Sequence, residues 1–306
     1  MKKFKNSVRL LLAFSVSLSI IGCGSDGSEG SSEGKKNDVN TVDQDIIDKN
    51  QNLMTTFGDK LFSIPSPIQT AMLIKEKGGN YDQSILNQAN KLSNYSTTYQ
   101  KALNLGVYGA DLGYTSIYDQ QQDALDYINV VNSLSKDLGI SGAFDQELLE
   151  RFSENTSNED SLVKIITQAY RKGDQFLKEN DQKDISVLIL TGGWVEALYF
   201  ATDVASKTKN KDIYKRIAEQ KNTLKSLIEI LKEYKSSEAF DELISGLEAL
   251  KVLFDKVQST YEYIEPITDE SKRLTTFKNK STADIDDNTL AEITSKVGEI
   301  RNAIVK

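Results

Sequence analysis

The sequence predicts an all-α protein, a multi-helix bundle of roughly eight to ten helices in a single domain over residues 41–306. Three observations lead to this prediction. Apolar residues recur at helical spacing along nearly the whole segment, and no runs with the alternating pattern of paired strands stand out. Only three prolines occur, Pro65, Pro67 and Pro266, and each lies where a helix is expected to break.

Residues 1–22 are organised like a secretory signal peptide. Four basic residues and no acidic one precede Leu10–Ile21, an uncharged stretch that is too short to cross about 30 Å of bilayer hydrocarbon. The motif Ile20-Ile21-Gly22-Cys23 follows and contains the only cysteine of the chain. It resembles the lipobox of bacterial lipoproteins, which implies cleavage before Cys23, acylation of its sulfur and a permanent membrane anchor.

Residues 23–40 are predicted to be the acylated cysteine and a flexible tether. The segment after Cys23 holds four Gly, four Ser and no aromatic residue, and it spans roughly 20–25 Å as a random coil. Gly rather than Asp follows Cys23, and acidic residues come soon after. This pattern is similar to the sorting signals of outer-membrane lipoproteins, and it implies an outer-membrane protein on the periplasmic or the surface face.

Local signals define the limits of several helices. Ser66 as N-cap and Pro67 at the first helical position predict a helix over 67–77 that Gly78-Gly79 ends. Gly139 between Leu138 and Ile140 predicts a Schellman end. Ser157 with Asp160 three residues later predicts a capping box at the start of the next helix.

The helix predicted over 97–118 has an unusual apolar seam. Its core positions are Tyr99, Leu103, Gly106, Ala110, Gly113 and Ile117. Glycine inside a helix costs about 0.5–1 kcal/mol relative to alanine. Two glycines on one seam therefore predict either the close approach of another helix or room for a ligand.

The segment 184–205 is predicted to be a central helix that is buried on all sides, with a kink or thin spot at Gly192-Gly193. An alternative, a strand over 185–190 followed by a phosphate-binding turn, lacks a partner strand and the lysine of a P-loop. A membrane-spanning interpretation fails because Glu196 and Asp203 would lie within the span.

The clearest heptad pattern covers 211–264 and predicts a long antiparallel helical hairpin. A boundary between two subdomains near 207–211 is an alternative to a single domain. The last helix is predicted near 288–305.

Composition excludes several classes of function. The chain has no histidine, which rules out Ser-His-Asp and Cys-His catalysis and the usual zinc, haem and copper sites. Without residues 1–22, 33 of the 37 basic residues remain against 45 acidic ones, a net charge of −12. This balance disfavours nucleic acid and anionic lipid headgroups as partners.

Two carboxylates, Asp111 and Glu196, lie on strongly apolar helices beside aromatic residues. The aromatic candidates are Tyr108, Tyr118, Trp194 and Tyr199. One hypothesis is that both carboxylates face one cavity and bind a small cationic or hydroxylated ligand. The alternative is a structural role, in which they accept hydrogen bonds from tyrosine hydroxyls or from an arginine such as Arg171.

The runs Leu105–Leu112 and Gly192–Tyr199 resemble those of uncharacterised helical envelope lipoproteins of Bacteroidetes. The resemblance implies an envelope location and an all-α fold, with no known activity and no cofactor. We therefore expect a non-enzymatic protein, anchored to the membrane by its lipid, that binds or scaffolds an envelope protein. A tethered small-ligand binder is the alternative, and a carboxylate-dependent hydrolase is the least favoured.

Overall fold

The computed structural model describes residues 53–57, 60–143, 146–156, 158–269, 274–276 and 280–306. The signal peptide, the lipobox with Cys23 and the tether predicted over 1–40 lie outside these ranges. The described part consists mostly of ten helices: α1 (Pro67–Glu76), α2 (Thr98–Ile117), α3 (Gln121–Asp137), α4 (Gln146–Glu154), α5 (Glu159–Glu179), α6 (Lys183–Thr208), α7 (Lys211–Ala218), α8 (Gln220–Glu233), α9 (Ala239–Phe254) and α10 (Asp287–Ile304). The predicted all-α bundle is confirmed.

Six short strands accompany the helices. The sequence analysis predicted no paired strands, and that prediction was wrong. They are β1 (Leu53–Phe57), β2 (Lys60–Ile64), β3 (Gln258–Glu262), β4 (Ile267–Asp269), β5 (Leu274–Thr276) and β6 (Lys280–Asp284). They form three antiparallel pairs, β1–β2, β3–β6 and β4–β5. The strands escaped notice because they are three to five residues long, too short for a clear alternation, and β3 and β6 consist mostly of polar residues.

Helix α6 is the centre of the bundle. Eighteen of its 26 residues are buried, and α1, α2, α5, α7, α8 and α10 all pack around it. By length and composition α6 is apolar enough to cross a membrane, but 89% of its most apolar window is buried inside the protein. The core helix predicted over 184–205 is confirmed, and the strand considered for 185–190 does not form.

Several predicted helix ends are confirmed. Ser66 is the N-cap of α1, and Gly78 just beyond its end has φ +84°. Gly139 has φ +73°, and the Ile140 N–H donates to the Ser135 carbonyl as a Schellman end requires. Ser157, where a capping box was predicted, lies outside the described residues. Helix α5 begins after Asn158, whose side chain accepts from the Ser161 N–H.

The hairpin predicted over 211–264 is shorter than its heptad pattern. Helices α8 and α9 run antiparallel: Lys232 near the end of α8 pairs with Glu248 in α9, and Lys221 at the start of α8 donates to the carbonyl of Val257 just beyond the end of α9. The first predicted helix of the hairpin is divided at Glu219 into α7 and α8, and the second ends at Phe254. Residues after Phe254 enter β3 because β6, more than 20 residues later in the chain, supplies a strand partner that local periodicity cannot reveal.

The four strands β3 to β6 lie in the chain between α9 and α10, and we call this segment the arm (residues 258–284 as far as they are described). In the β4–β5 pair, Ile267 lies opposite Thr276 and Asp269 lies opposite Leu274. Because opposite residues of an antiparallel pair share a face, Ile267 and Leu274 lie on the same side of the arm.

Candidate functional site

Helices α2 and α6 cross in direct backbone contact. A Cβ atom placed on Gly106 would lie 2.0 Å from the carbonyl oxygen of Ile189, and one on Gly192 would lie 2.0 Å from that of Leu103. Neither position can hold a side chain unless the helices separate. The prediction that another helix closely approaches the glycine seam of α2 is confirmed. The approaching helix is α6, at the Gly192-Gly193 pair where a thin spot was predicted.

This crossing brings the two candidate carboxylates into the same part of the core. Asp111 follows Gly106 on α2, Glu196 follows Gly192 on α6, and both side chains are fully buried. The two groups are close enough to interact, since the charge of Glu196 raises the pKa of Asp111. The hypothesis that both carboxylates face one cavity and bind a ligand there stays a prediction.

The partner of Glu196 is Arg301 on α10. Arg301 donates from Nε to Oε2 at 3.0 Å and from Nη2 to Oε1 at 2.9 Å, and Nη2 also donates to the carbonyl of Ile85 at 3.2 Å. A bidentate pair of this kind fixes the angle as well as the distance between two groups. It holds the C-terminal helix against the centre of the bundle.

Asp111 has no such partner. Neither of its carboxyl oxygens makes a hydrogen bond within the described part of the chain. Burial raises the pKa of Asp111 well above its ordinary value of 3.8, Glu196 raises it further, and the guanidinium of Arg301 opposes both effects. Burial also raises the pKa of Glu196, while the direct bonds from Arg301 oppose that effect. The negative charge of the pair is therefore better stabilised on Glu196, and Asp111 holds its proton more tightly than a solvated carboxyl group does.

One aromatic candidate adjoins this cluster. The ring of Tyr199 lies 5.0 Å from the guanidinium carbon of Arg301, a cation–π distance. Trp194 on the same helix donates instead from Nε1 to Oε1 of Gln220 at 3.1 Å, which ties α6 to α8.

The other two aromatic candidates bond to loops. Tyr108 donates to the carbonyl of Gln88 at 2.9 Å, and Tyr118 donates to the carbonyl of Gly79 at 2.6 Å. Both bonds fasten the segment between α1 and α2 to the body. Ligand binding by the six candidate residues stays a prediction; the contacts that they make are those of polar groups inside a core.

Arg301 was not found by sequence reasoning, which suggested Arg171 as a partner. The pair joins residues 105 positions apart, so no local pattern links them. One signal was available: Arg301 lies four residues after Val297 and three before Ile304, on the buried stripe of α10. A charged residue on an apolar stripe needs a buried partner of opposite charge.

An apolar cavity of about 80 Å³ lies among α2, α3, α4, α5 and α6. Neither Asp111 nor Glu196 lines it. Its wall includes Tyr170, whose buried hydroxyl has no hydrogen-bond partner among the described residues. Ala169 and Gly173 of α5, both on the wall of this cavity, were not recognised in the sequence as residues that leave space.

No group of three or more acidic or other metal-binding side chains could hold a metal ion in the part of the chain that the structure describes. No family model matches the chain, and no curated protein or solved structure matches it either. A functional proposal must therefore be built on geometry and chemistry alone.

Proposed function

We propose that this chain is a lipid-anchored envelope protein, without enzymatic activity, whose helical body binds a partner protein through the arm. The observation that carries the proposal is the exposed apolar surface of the arm. Five large apolar side chains are exposed within the described ranges, and three of them, Tyr263, Ile267 and Leu274, belong to the arm at 65%, 54% and 54% exposure. Clustered exposed apolar groups favour an interaction site over a solvated surface.

The backbone of the arm supports the same proposal. Each strand of the arm pairs with a single neighbour strand in the described chain, so each has a second edge that no described strand covers. Soluble proteins usually protect such edges, and recognition by strand addition uses them. The partner that fits is an extended protein segment with apolar side chains that cover Ile267 and Leu274.

The membrane location depends on Cys23 and the tether. A body linked by the residues after Cys23 stays within tens of ångströms of the bilayer, where other envelope proteins are concentrated. The net charge of −12 after removal of residues 1–22 disfavours direct binding to anionic headgroups. These features favour a protein partner over nucleic acid or the membrane surface.

Site-specific photo-crosslinking in intact cells tests the proposal. A photoreactive amino acid replaces Tyr263, Ile267 or Leu274 in separate variants, and Val252 on α9, which is 63% exposed, provides a matched control outside the arm. We expect an adduct of one discrete mass from the arm positions and none from position 252. Equal labelling at all four positions, or no adduct from the arm, would contradict the proposal.

A double variant separates binding from folding. Ile267→Ser with Leu274→Ser removes apolar area that is already more than half exposed, so the melting temperature should change little. The adduct formed from position 263 should nevertheless be lost. Retention of that adduct would show that these two side chains do not form the interface.

A further inference from the structure

We propose that a groove between α9, α10 and the start of α2 binds a small amphiphilic cation, a primary ammonium group on an apolar body. The groove has a volume of about 520 Å³, within the range of roughly 300–1,000 Å³ that is usual for small-ligand sites. Fourteen residues line it, fewer than the about 20–30 that one side of a specific protein interface employs. Its size therefore favours a small molecule over a partner protein.

The floor of the groove is apolar and already closed to solvent. Four large apolar side chains form it, and each is more than nine-tenths buried: Leu103 of α2, Leu243 of α9, and Ile300 and Ile304 of α10. An apolar body that lies over these side chains leaves water for a hydrocarbon surface, which the hydrophobic effect favours. The floor therefore suits the apolar part of a ligand.

Small residues keep the groove open. Ala239 and Gly246 of α9 and Ala303 of α10 lie on its lining, and larger side chains at these positions would project into the space. Gly246 also lets the two helices approach, since a Cβ atom placed there would lie 3.2 Å from Cγ1 of Ile300. The same residue thus brings α9 and α10 together and leaves room above their contact.

Contacts between the helices fix the walls of the groove. The carbonyl of Ile304 near the end of α10 accepts from Nδ2 of Asn104 on α2 at 2.9 Å. Tyr99 of α2 packs against Phe240 of α9, with ring centroids 5.6 Å apart. All three helices are therefore tied to one another around the groove, and a wall that is fixed in advance loses little conformational entropy on binding.

Glu242 and Tyr99 on the groove lining favour a cationic group. Burial raises the pKa of the half-buried Tyr99 hydroxyl to about 12, and the charge of Glu242 contributes to this rise, so the two side chains are close enough to interact. Neither has a hydrogen-bond or ion-pair partner among the described residues. An ammonium group beside them would pair with the carboxylate and face the tyrosine ring.

The remaining charges on the lining limit the ligand to a single positive charge. Lys296 is ion-paired with Glu299, so neither offers an unpaired charge. Lys306 has no ion-pair partner in the described part of the chain and would repel a second cationic group, which excludes a polyamine. An anion at Lys306 is disfavoured because the net charge of −12 without residues 1–22 repels anions from the whole surface.

Calorimetry with the full chain carrying Cys23→Ser tests the charge preference. The probes are octylammonium, 1-octanol and octanoate, which have the same chain length, each at a concentration below that at which it forms micelles. We expect octylammonium to bind about fivefold more tightly than 1-octanol, and octanoate to bind most weakly. Any other order of the three affinities would overturn the proposal.

A matched pair of charge variants shows whether Glu242 is the group responsible. Glu242→Gln should lower the affinity for octylammonium about fivefold and leave that for 1-octanol unchanged. Glu229→Gln on α8 removes the same charge from an exposed side chain outside the groove and should change neither affinity. Equal effects of the two variants would mean that net charge alone attracts the cation, and the site would be refuted.

A blocked groove provides an independent test. Ala303→Trp should abolish binding of octylammonium, whereas Ala291→Trp, at a position that is also exposed on α10 but lies outside the groove, should bind like the parent protein. In NMR spectra of the alanine methyl groups of the parent protein, octylammonium should shift the signals of Ala239 and Ala303 and leave that of Ala291 in place. Unchanged binding by Ala303→Trp, or shifts confined to other alanines, would contradict the proposal.

Discussion

Arg301 and Glu196 join the last helix of the chain to its central helix through two hydrogen bonds of 3.0 and 2.9 Å, in a position that is almost closed to solvent. Asp111 from a third helix lies beside this pair without a hydrogen-bond partner among the described residues. One cation and two carboxyl groups therefore share one buried site. The site is neutral overall only while one carboxyl group keeps its proton, and this requirement leads to two predictions.

Asp111→Asn should stabilise the protein, and the gain should grow with pH. The folded protein keeps the Asp111 proton because its pKa is raised, whereas the unfolded chain loses that proton near pH 4. Above pH 4 the unfolded state therefore binds fewer protons, and the free energy of unfolding falls by up to about 1.4 kcal/mol per pH unit until the folded-state pKa is reached. Asparagine removes this penalty.

Urea denaturation of the parent and the Asp111→Asn protein at several pH values between 4 and 8 checks this prediction. Carboxylates with a lowered pKa, such as Asp82, contribute stability that is lost as the pH falls. Because both proteins contain them, this contribution cancels in the difference between the two free energies of unfolding. We expect the difference to widen as pH rises. A difference that stays constant with pH would show that Asp111 is ionised in the folded protein.

Glu196→Gln should act in the opposite direction, although it is the same kind of isosteric change. It removes the carboxylate that holds Arg301 and leaves a buried cation, which costs about 3–5 kcal/mol. Asp111 can then ionise and recover part of this loss. The double variant Asp111→Asn with Glu196→Gln should therefore lose more stability than the two single effects together.

The double-mutant cycle in urea measures this coupling directly. Simple additivity would mean that Asp111 does not interact with Arg301. A Glu196→Gln protein within about 1 kcal/mol of the parent would mean that the buried ion pair is not essential to the fold.

Glycine substitutions test the backbone contact of α2 and α6. Gly106→Ala and Gly192→Ala each place a Cβ 2.0 Å from a carbonyl oxygen, so the helices must separate at a cost of about 3 kcal/mol. Gly298→Ala on α10 is the matched control, because nothing lies within 4 Å of its added Cβ. It should gain about 0.5–1 kcal/mol from better helix propensity. Equal effects at Gly106 and Gly298 in thermal denaturation would disprove the close crossing.

Features that depend on local pattern could be predicted from the sequence, and those that depend on distant partners could not. The glycine seam of α2 and the Gly192-Gly193 pair of α6 each indicated a thin spot, because missing side chains are visible in a sequence. The contact between these two segments depends on the tertiary structure, which no local pattern reveals. The choice of Arg301 as the partner of Glu196 and the pairing of β3 with β6 are of the same kind, since each joins segments that no helical or strand period connects.

The heptad pattern of 211–264 illustrates the opposite error. Tyr261 and Ile264 continue the apolar spacing of α9, yet the helix ends at Phe254. A period of three and four residues fits a helix, but a short paired strand can accommodate the same residues when another segment supplies its hydrogen bonds. Local pattern was sufficient for the helices of the core and insufficient for the arm that emerges from it.

The proposed role depends above all on a lipid at Cys23, and intact mass spectrometry of the protein isolated from native membranes measures this directly. We predict a chain that begins at Cys23 and carries additional mass equal to acyl groups, and a Cys23→Ala protein that fails to sediment with membranes. A native chain that retains Met1 or bears an unmodified sulfur at residue 23 would contradict the anchor.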